Sequence, residues 1–560
     1  MKNWRINLIF ALFVLFAAVL VGRLTYIQII RADFYKALAQ GFFNHYLLAE
    51  DVGERGEIFL SNGEPLAINR NFSLVFASPP KVENPEETAL VLGQTLSLDE
   101  DFVLEQLQKE SLYSPIKNRL SEEEIQSLKD LDLKGIYLTE EGGRYYPQET
   151  LASQLVGFLA ASGDGQYGME EYYNEILKGG SHVFEEAGAS SQASLRSNSA
   201  ADLVLTLDYN VQFRAERLLE NAKENLAIEG GQIIIIDPLS GKIIALAHFP
   251  SFNPNQYQQY ATAGNLELFR NKATRDFFEP GSVFKSITMA AALNEELITP
   301  VTRYVDEGHV RIGGYTLHNY NRRIWGEETM TRVLENSINT GAIFTQKLMP
   351  NHVFSGYVEK FGIFEKSGID LPENLSENRE FKQGREINLA TASYGQGIEM
   401  TGIQLVRAYS AIANNGRLVS PYLVEKILID GREKTPSNLE KSEPARQVIS
   451  QKAAGQLTAM LVSVVESGSA RRAKIPGYYI AAKTGTAQIA YSALGISKSG
   501  YSDKTFQTTI GFFPAFSPQF LILVKLDNPQ TRIAEYSAVP IFHDLAEYII
   551  HKYQIPPDYE

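Results

Sequence analysis

Residues 279–293 read EPGSVFKSITMAAAL: a Pro-Gly turn, then Ser282, then Lys285 three positions on, then an apolar run through Leu293. The Pro-Gly pair marks a turn, and the run after it has the composition of a buried helix. A serine at a helix start meets unpaired backbone N–H groups and the positive end of the helix dipole, which together favour an anionic transition state. A lysine at i+3 shares the helix face one turn away, so its amine can reach the hydroxyl. An alcohol can become a nucleophile in this way without histidine. The spacing alone is common. Ser78 and Ser114 also begin Ser-x-x-Lys, but a proline follows each directly and argues against the same helical placement.

Two further motifs lie downstream. Ser337-Ile338-Asn339 falls in a helix-like stretch from Met330 to Leu348 and offers a hydroxyl and an amide if the backbone turns locally. The same pattern occurs at Ser251-Phe252-Asn253 and Ser376-Glu377-Asn378, so it is weak alone. Lys483-Thr484-Gly485-Thr486-Ala487 occurs once, at the end of a strand predicted from Tyr478 to Thr484. Gly485 allows close approach to the strand backbone. Lys483 and the two hydroxyls can bind a carboxylate, and the Thr486 N–H can point at a reacting carbonyl. Ser-x-x-Lys opening a helix, Ser-x-Asn in a later helix and Lys-Thr-Gly on a strand form the set shared by β-lactamases and penicillin-binding proteins.

The surrounding pattern supplies a scaffold for the three. Strands are predicted at Leu203–Leu207, Gln232–Asp237, Lys242–Ala247, Thr508–Phe513 and Phe520–Leu526, with a hairpin turn at Pro238-Leu239-Ser240-Gly241. Helices are predicted at Tyr209–Ala222 and Ile541–Tyr553. Strands at both ends with helices between them predict an α+β domain, mainly antiparallel, over residues 202–560. From Asn44 to Ala187 the chain mixes short strands (Ser73–Ala77, Gly135–Leu138) with helices (Glu87–Leu96, Asp101–Lys109, Ser121–Asp130). Ser121 is a capping residue before Glu124. The small, polar segment 188–201 reads as a linker.

Composition narrows the function. The 560 residues are 44% apolar and include 30 Phe and 28 Tyr, enough for packed cores. Acidic residues outnumber basic ones, giving a net charge of −14, and no Lys/Arg block occurs, which argues against nucleic acid as a partner. The absence of cysteine excludes disulfides, thiolate nucleophiles and iron–sulfur sites. At the N-terminus, Ile6–Gly22 is apolar apart from Asn7, and Leu24–Ile30 continues the pattern after Arg23. Seventeen helical residues reach about 25 Å, a little short of the hydrocarbon core, so the helix is expected to run on toward Ile30 with Arg23 snorkelling. Lys2 and Arg5 place the leading end in the cytoplasm by the positive-inside rule. Ala37-Leu38-Ala39 resembles a signal cleavage site but sits too far behind the apolar core, so an uncleaved anchor over residues 1–30 is expected.

With these motifs in order, the chain resembles a class B penicillin-binding protein, a bitopic peptidoglycan D,D-transpeptidase. Arg55-Gly56-Glu57-Ile58, Arg144-Tyr145-Tyr146-Pro147 and Gly168-Met169-Glu170 resemble motifs of its pedestal, the dimerisation-type domain expected over residues 31–201. Tyr394-Gly395-Gln396-Gly397 and Gly511-Phe512-Phe513-Pro514-Ala515 resemble its transpeptidase domain. The closing segments Asp527-Asn528-Pro529 and Ala538-Val539-Pro540-Ile541-Phe542 favour the cell-division subtype. The resemblance implies Ser282 as acylated nucleophile, Lys285 as its base, Ser337 and Asn339 as proton relay and substrate-orienting pair, and Lys483, Thr484, Gly485 and Thr486 as the carboxylate-binding strand. It implies stem peptides of peptidoglycan and β-lactams as ligands, a SEDS-family glycosyltransferase as partner, an extracytoplasmic catalytic domain at the inner membrane, and no metal or organic cofactor.

Two other readings share features. A β-lactamase or β-lactam sensor carries the same trio, but the lactamase Glu-x-x-x-Asn spacing occurs after Glu335 only at Glu335–Asn339, overlapping Ser-x-Asn, and an anchored pedestal fits a wall synthase better. A non-catalytic scaffold that activates a glycosyltransferase does not explain three intact motifs.

Overall fold

The computed structural model describes residues 4–46, 54–179, 182–184, 195–197, 200–436 and 445–560. Lys2 and most of the predicted linker 188–201 lie outside the described residues. The described chain forms two compact units, one of residues 1–54 and 69–145, the other of residues 55–68 and 146–560.

The first unit opens with helix α1 (Trp4–Thr25), which runs through a π-turn (Tyr26–Ile30) and is followed by helix α2 (Ala32–Tyr46). Asn7–Ile30, with mean hydropathy 2.5, is long and apolar enough to cross a membrane. It therefore continues past Arg23 to Ile30, as length-matching requires. Behind it, the helices Pro85–Leu96, Glu100–Leu107 and Glu122–Leu131 and the strands Ser114–Lys117 and Ile136–Tyr145 enclose a small core of Val75, Leu92, Leu96, Val103, Leu107 and Leu128. Ser121 caps the last of these helices reciprocally. Its Oγ accepts from the Glu124 N–H at 3.2 Å, and Glu124 Oε2 accepts from the Ser121 N–H at 2.9 Å.

The second unit is built on five antiparallel strands: β1 (Gly230–Ile236), β2 (Ile243–Phe249), β3 (Ala481–Ala490), β4 (Tyr501–Phe513) and β5 (Phe520–Asp527), in the spatial order β2-β1-β5-β4-β3. The unit is α+β, as the pattern of elements predicts. The run Ile233–Ile236 is buried throughout because helices cover both faces of the central strands. Each such isoleucine contributes roughly 1.5–3 kcal/mol of burial. A Cβ on Gly231 would meet Leu219 of the helix Tyr209–Leu226, whereas a Cβ on Gly402, in the helix Gly402–Ala413, would meet Gln232 and Ile234. Adjacent strand positions face opposite sides, so these two helices cover opposite faces of the sheet. Two motif residues meet here in a buried ion pair: Arg55 Nε lies 2.7 Å from Glu170 Oε2.

Several predicted elements change, three of them at the site. Strand β3 begins at Ala481 and runs to Ala490, six residues beyond Thr484, and β4 begins at Tyr501 rather than Thr508. The polar ends of both strands pair with each other (Gln488 opposite Thr505, Ala490 opposite Tyr501), which satisfies their backbone without an apolar face. The predicted helix Met330–Leu348 is broken. It forms α3 (Met330–Glu335) and α4 (Asn339–Lys347), with Ser337 between them at φ +54°.

Candidate active site

Ser282 lies in a single 3₁₀ turn, Gly281–Phe284, that precedes the buried helix Lys285–Asn294 rather than at the start of the α-helix itself. The turn depends on Gly281, which has φ +60°. It is also gripped from two sides. The Gly281 N–H donates to Gly395 O at 3.0 Å, and a Cβ on Gly395 would lie 2.1 Å from Gly281 O. Tyr409 donates its hydroxyl to Val283 O at 2.7 Å. Tyr394-Gly395-Gln396-Gly397 thus shapes the serine turn, a role that no local pattern around Ser282 reveals.

The break at Ser337 is a Schellman-type helix end. The Ile338 N–H donates to Val333 O at 2.9 Å and the Ser337 N–H to Leu334 O at 3.3 Å. Glycine normally occupies the left-handed position that Ser337 takes. A side chain there costs on the order of 1 kcal/mol. In this conformation the Ser337 carbonyl and hydroxyl both face Lys285, at 2.6 and 3.2 Å.

The third motif lies on β3, the edge strand of the sheet. Lys483 is fully buried, not solvated. Gly485 does permit a close approach, but its neighbour is the serine turn. A Cβ there would stand 2.9 Å from Pro280 O and 3.2 Å from Val283 Cγ1. The missing side chain lets the edge strand and the serine turn pack face to face.

These three segments bring Ser282, Lys285, Ser337, Asn339 and Lys483 into one hydrogen-bonded array. Lys285 Nζ lies 3.0 Å from Ser282 Oγ, 2.6 Å from Ser337 O, 2.8 Å from Asn339 Oδ1 and 3.2 Å from Ser337 Oγ. Lys483 Nζ donates to Ser337 Oγ at 3.0 Å and to Thr484 O at 3.0 Å. Among the described residues, no carboxylate touches either amine in this array. Burial holds the Lys285 amine well below the ordinary lysine range, and the nearby Lys483 charge lowers it further. Burial takes Lys483 down to about 7. A neutral Lys285 has two N–H groups, and the Ser337 carbonyl and the Asn339 amide oxygen can only accept. With both N–H groups committed to them, the lone pair is left for the Ser282 O–H. Such an array can take a proton from Ser282 and pass one along Ser337.

The hydroxyls of the strand are oriented too. Thr486 Oγ1 accepts from the Ala534 N–H at 3.2 Å, which leaves its own hydrogen free to donate. Thr484 Oγ1 lies 3.0 Å from Ser469 Oγ. Glu335, which completes the lactamase-like spacing, has its carboxylate engaged by the Ser463 hydroxyl at 2.5 Å and by Arg332 at 3.0 Å. Ser114 and its lysine lie on an extended strand, and Ser78 precedes the 3₁₀ turn Pro79–Lys81, so neither reproduces the Ser282 arrangement.

Sequence reasoning missed Glu279. Its Oε1 accepts from the Gly397 N–H at 2.9 Å and from the Tyr501 hydroxyl at 3.0 Å, and burial raises its carboxyl to about 7. Its position immediately before Pro-Gly-Ser was the only local signal.

Comparisons with known proteins identify the family. The penicillin-binding protein transpeptidase domain matches residues 231–547, and the penicillin-binding protein dimerisation domain matches residues 50–187. The chain is a class B member of the penicillin-binding protein family. It is 32% identical to stage V sporulation protein D of Bacillus subtilis, over 93% of this chain and 82% of that one. It is 26% identical to the peptidoglycan D,D-transpeptidase FtsI of Escherichia coli K12, over 99% and 93%. In fold it is similar to penicillin-binding protein 3 of Mycobacterium tuberculosis in complex with aztreonam, with a TM-score of 0.69 at 24% identity, covering 90% of this chain and 97% of that one. Penicillin-binding proteins of this class pair a transpeptidase domain with a pedestal, and both domains are matched here.

Proposed function

We propose that this protein is a serine-type peptidoglycan D,D-transpeptidase and a target of β-lactams. The observation that carries the reading is the buried Lys285 amine, which touches Ser282, Ser337 and Asn339 at once and has a second lysine across Ser337. Ser282 attacks the penultimate D-Ala of a pentapeptide stem while its proton passes to Lys285. The terminal D-Ala then leaves as an amine, which takes a proton along the Lys285–Ser337 path. An amine of a neighbouring stem next attacks the ester, gives up a proton by the same route reversed and restores the Ser282 hydroxyl. The amides of Ser282 and Thr486 serve as the oxyanion hole, which stabilises charge developed only in the transition state. Lys483, Thr484 and Thr486 hold the stem carboxylate. Because β3 is an edge strand, an extended peptide can add alongside it and use the backbone groups that the sheet leaves unpaired.

A β-lactam presents a similar carboxylate and amide, acylates Ser282 and leaves slowly. Residues 1–30 anchor the chain with its leading end in the cytoplasm, so the pedestal (31–201) and the transpeptidase domain (202–560) work outside the inner membrane. The closing segment at Asp527–Pro529 and Ala538–Phe542 favours a role in division. The anchor and pedestal supply a docking surface for a SEDS-family glycosyltransferase. The test is intact-mass analysis of the full-length protein with penicillin, followed by peptide mapping. One adduct on the peptide containing Ser282 is expected. No adduct, or an adduct on another serine, overturns the assignment.

A further inference from the structure

Between Arg303 and Thr329 the chain makes an excursion of short strands: Arg303–Asp306, paired with Gly326–Thr329, and the hairpin His309–Ile312 with Tyr315–His318. The sequence pattern assigns it no role. Its two buried polar residues, however, both reach the start of α4, where Asn339 sits. Asp306, 2% exposed, accepts from the Thr340 hydroxyl at 2.6 Å, the Gly308 N–H at 2.9 Å, the Trp325 N–H at 2.8 Å and Asn319 Nδ2 at 2.9 Å. Asn319, 5% exposed, accepts the Thr340 backbone N–H at 3.0 Å and donates to Arg323 O at 3.0 Å.

The start of α4 has no cap of its own. Ile338 stands at the N-cap position and offers no side-chain acceptor. Asn319 supplies that acceptor from a segment twenty residues away, with the Asp306 carboxylate behind it at the positive end of the helix. The neighbouring His318 O accepts Asn339 Nδ2 at 3.1 Å. That contact fixes which way the Asn339 amide faces and leaves its oxygen toward Lys285, 2.8 Å away.

We infer that Asp306, Asn319 and Thr340 are positioning residues for the acylation step: through the Thr340 hydroxyl and backbone they hold Asn339, and through Asn339 they hold the Lys285 amine on Ser282. This inference rests on the reaction proposed above. The clamp touches neither substrate nor the reacting atoms. Its effect is therefore on the rate of bond formation and not on the carboxylate site of Lys483, Thr484 and Thr486. Displacing a catalytic group by about 1 Å can cost on the order of 100-fold.

The test uses the full-length protein in detergent and a chromogenic cephalosporin, with three variants: Asn319→Ala, Thr340→Val and Thr340→Ser. Asn319→Ala and Thr340→Val are expected to lower the acylation rate at saturating β-lactam by about 10- to 100-fold, while the concentration giving half that rate changes little and every molecule is labelled in the end. Thr340→Ser keeps the hydroxyl and is expected to stay close to the parent rate. The inference is overturned if both disruptive variants acylate within about twofold of the parent. It is also overturned if their loss appears only as a smaller labelled fraction reacting at the parent rate, which is the signature of partial unfolding. Failure of the unmutated protein to be labelled at Ser282 overturns the parent reading instead, so the two failures are distinct.

Discussion

Ser282-Val283-Phe284-Lys285 and Ser114-Pro115-Ile116-Lys117 place a hydroxyl and an amine at the same spacing, yet the two segments end in different chemistry. Ser114–Lys117 is a strand, in which positions i and i+3 point to opposite faces about 10 Å apart. Ser114 donates to Gln106 Oε1 at 3.1 Å, while Lys117 is taken by Glu124 at 2.6 Å and Leu96 O at 2.7 Å. At Ser282 the tight turn closes the same spacing to 3.0 Å. The partners differ as much as the geometry. Lys117 faces the Glu124 carboxylate. Among the described residues Lys285 meets only neutral oxygens, with a second lysine across Ser337, in a place where burial disfavours charge. The same spacing therefore gives Lys285 a serine partner and no counter-ion among the described residues, and gives Lys117 a counter-ion and no serine.

The sharpest way to break this comparison is to remove each hydroxyl. Ser282→Ala should abolish acylation, a loss on the order of 10⁶-fold by analogy with other serine acyl-transfer sites, with little change in thermal stability. Ser114→Ala should acylate at the parent rate. Stopped-flow kinetics with a chromogenic cephalosporin reads both. Normal cross-linking and growth in cells that rely solely on folded Ser282→Ala would show that the protein acts as a scaffold.

Next comes the charge of the amine. Lys285→Arg keeps a cation that cannot be deprotonated and should lose about 10²- to 10⁴-fold, the usual worth of a general base. In the parent, acylation should fall as pH drops through the lowered Lys285 value, because protonation removes the lone pair. It should also fall as pH rises above about 7 in the free protein, where Lys483 loses the charge that holds the carboxylate. The two amines share Ser337, so both limbs of the profile belong to the pair. Stability has the opposite sense on its upper side. Both lysines bind fewer protons folded than unfolded between their lowered values and about 10.4, so unfolding free energy from these groups rises with pH across that window. A pH series of acylation rates and chemical denaturation curves tests both signs. A profile with no fall on the acid side would contradict the neutral Lys285.

A smaller effect is expected at the carboxylate site. Thr486→Ala removes a hydroxyl whose hydrogen is free to donate, while the backbone N–H remains. A charge-assisted hydrogen bond of about 1.5–3 kcal/mol corresponds to roughly 10- to 150-fold in acylation by peptide substrates. Unchanged kinetics would assign the carboxylate to another group.

The smallest predicted change runs in two directions. Ser337→Gly relieves the left-handed strain and should stabilise the protein by about 1 kcal/mol, raising the unfolding midpoint, while acylation slows because the bridging hydroxyl is gone. Calorimetry with parallel kinetics checks the trade. A lower midpoint would mean that the Lys285 and Lys483 contacts to Ser337 outweigh its backbone strain.

Much of the site was legible as residue types in order. The Ser121 cap, the β1–β2 hairpin and the helix ending at Tyr553 were also legible, because capping, turn chemistry and apolar periodicity act within a few residues. The break at Ser337 was not. Asn336-Ser337-Ile338-Asn339-Thr340-Gly341 are poor helix formers, but the apolar spacing on either side reads through them, and the partner that the turned backbone meets is a lysine 52 positions away. Strand β3 was underestimated for a related reason. Its polar end owes its extension to pairing with β4, and cross-strand pairing leaves no mark on a single strand's alternation.

The sequence by itself determined which chemical groups are present and their order along the chain: a hydroxyl with an amine one turn on, a hydroxyl–amide pair, a lysine followed by Thr-Gly-Thr, and an apolar helix at the front. Tertiary structure alone decided what meets the Ser282 turn, why Gly485 lacks a side chain, and what caps the helix that begins at Asn339. It also lowered the proton affinity of Lys285 and Lys483 through burial. The physical reason is range. Propensity and capping are set by near neighbours, whereas burial, counter-ions and close backbone approach are set by segments hundreds of residues apart that meet only in the folded chain.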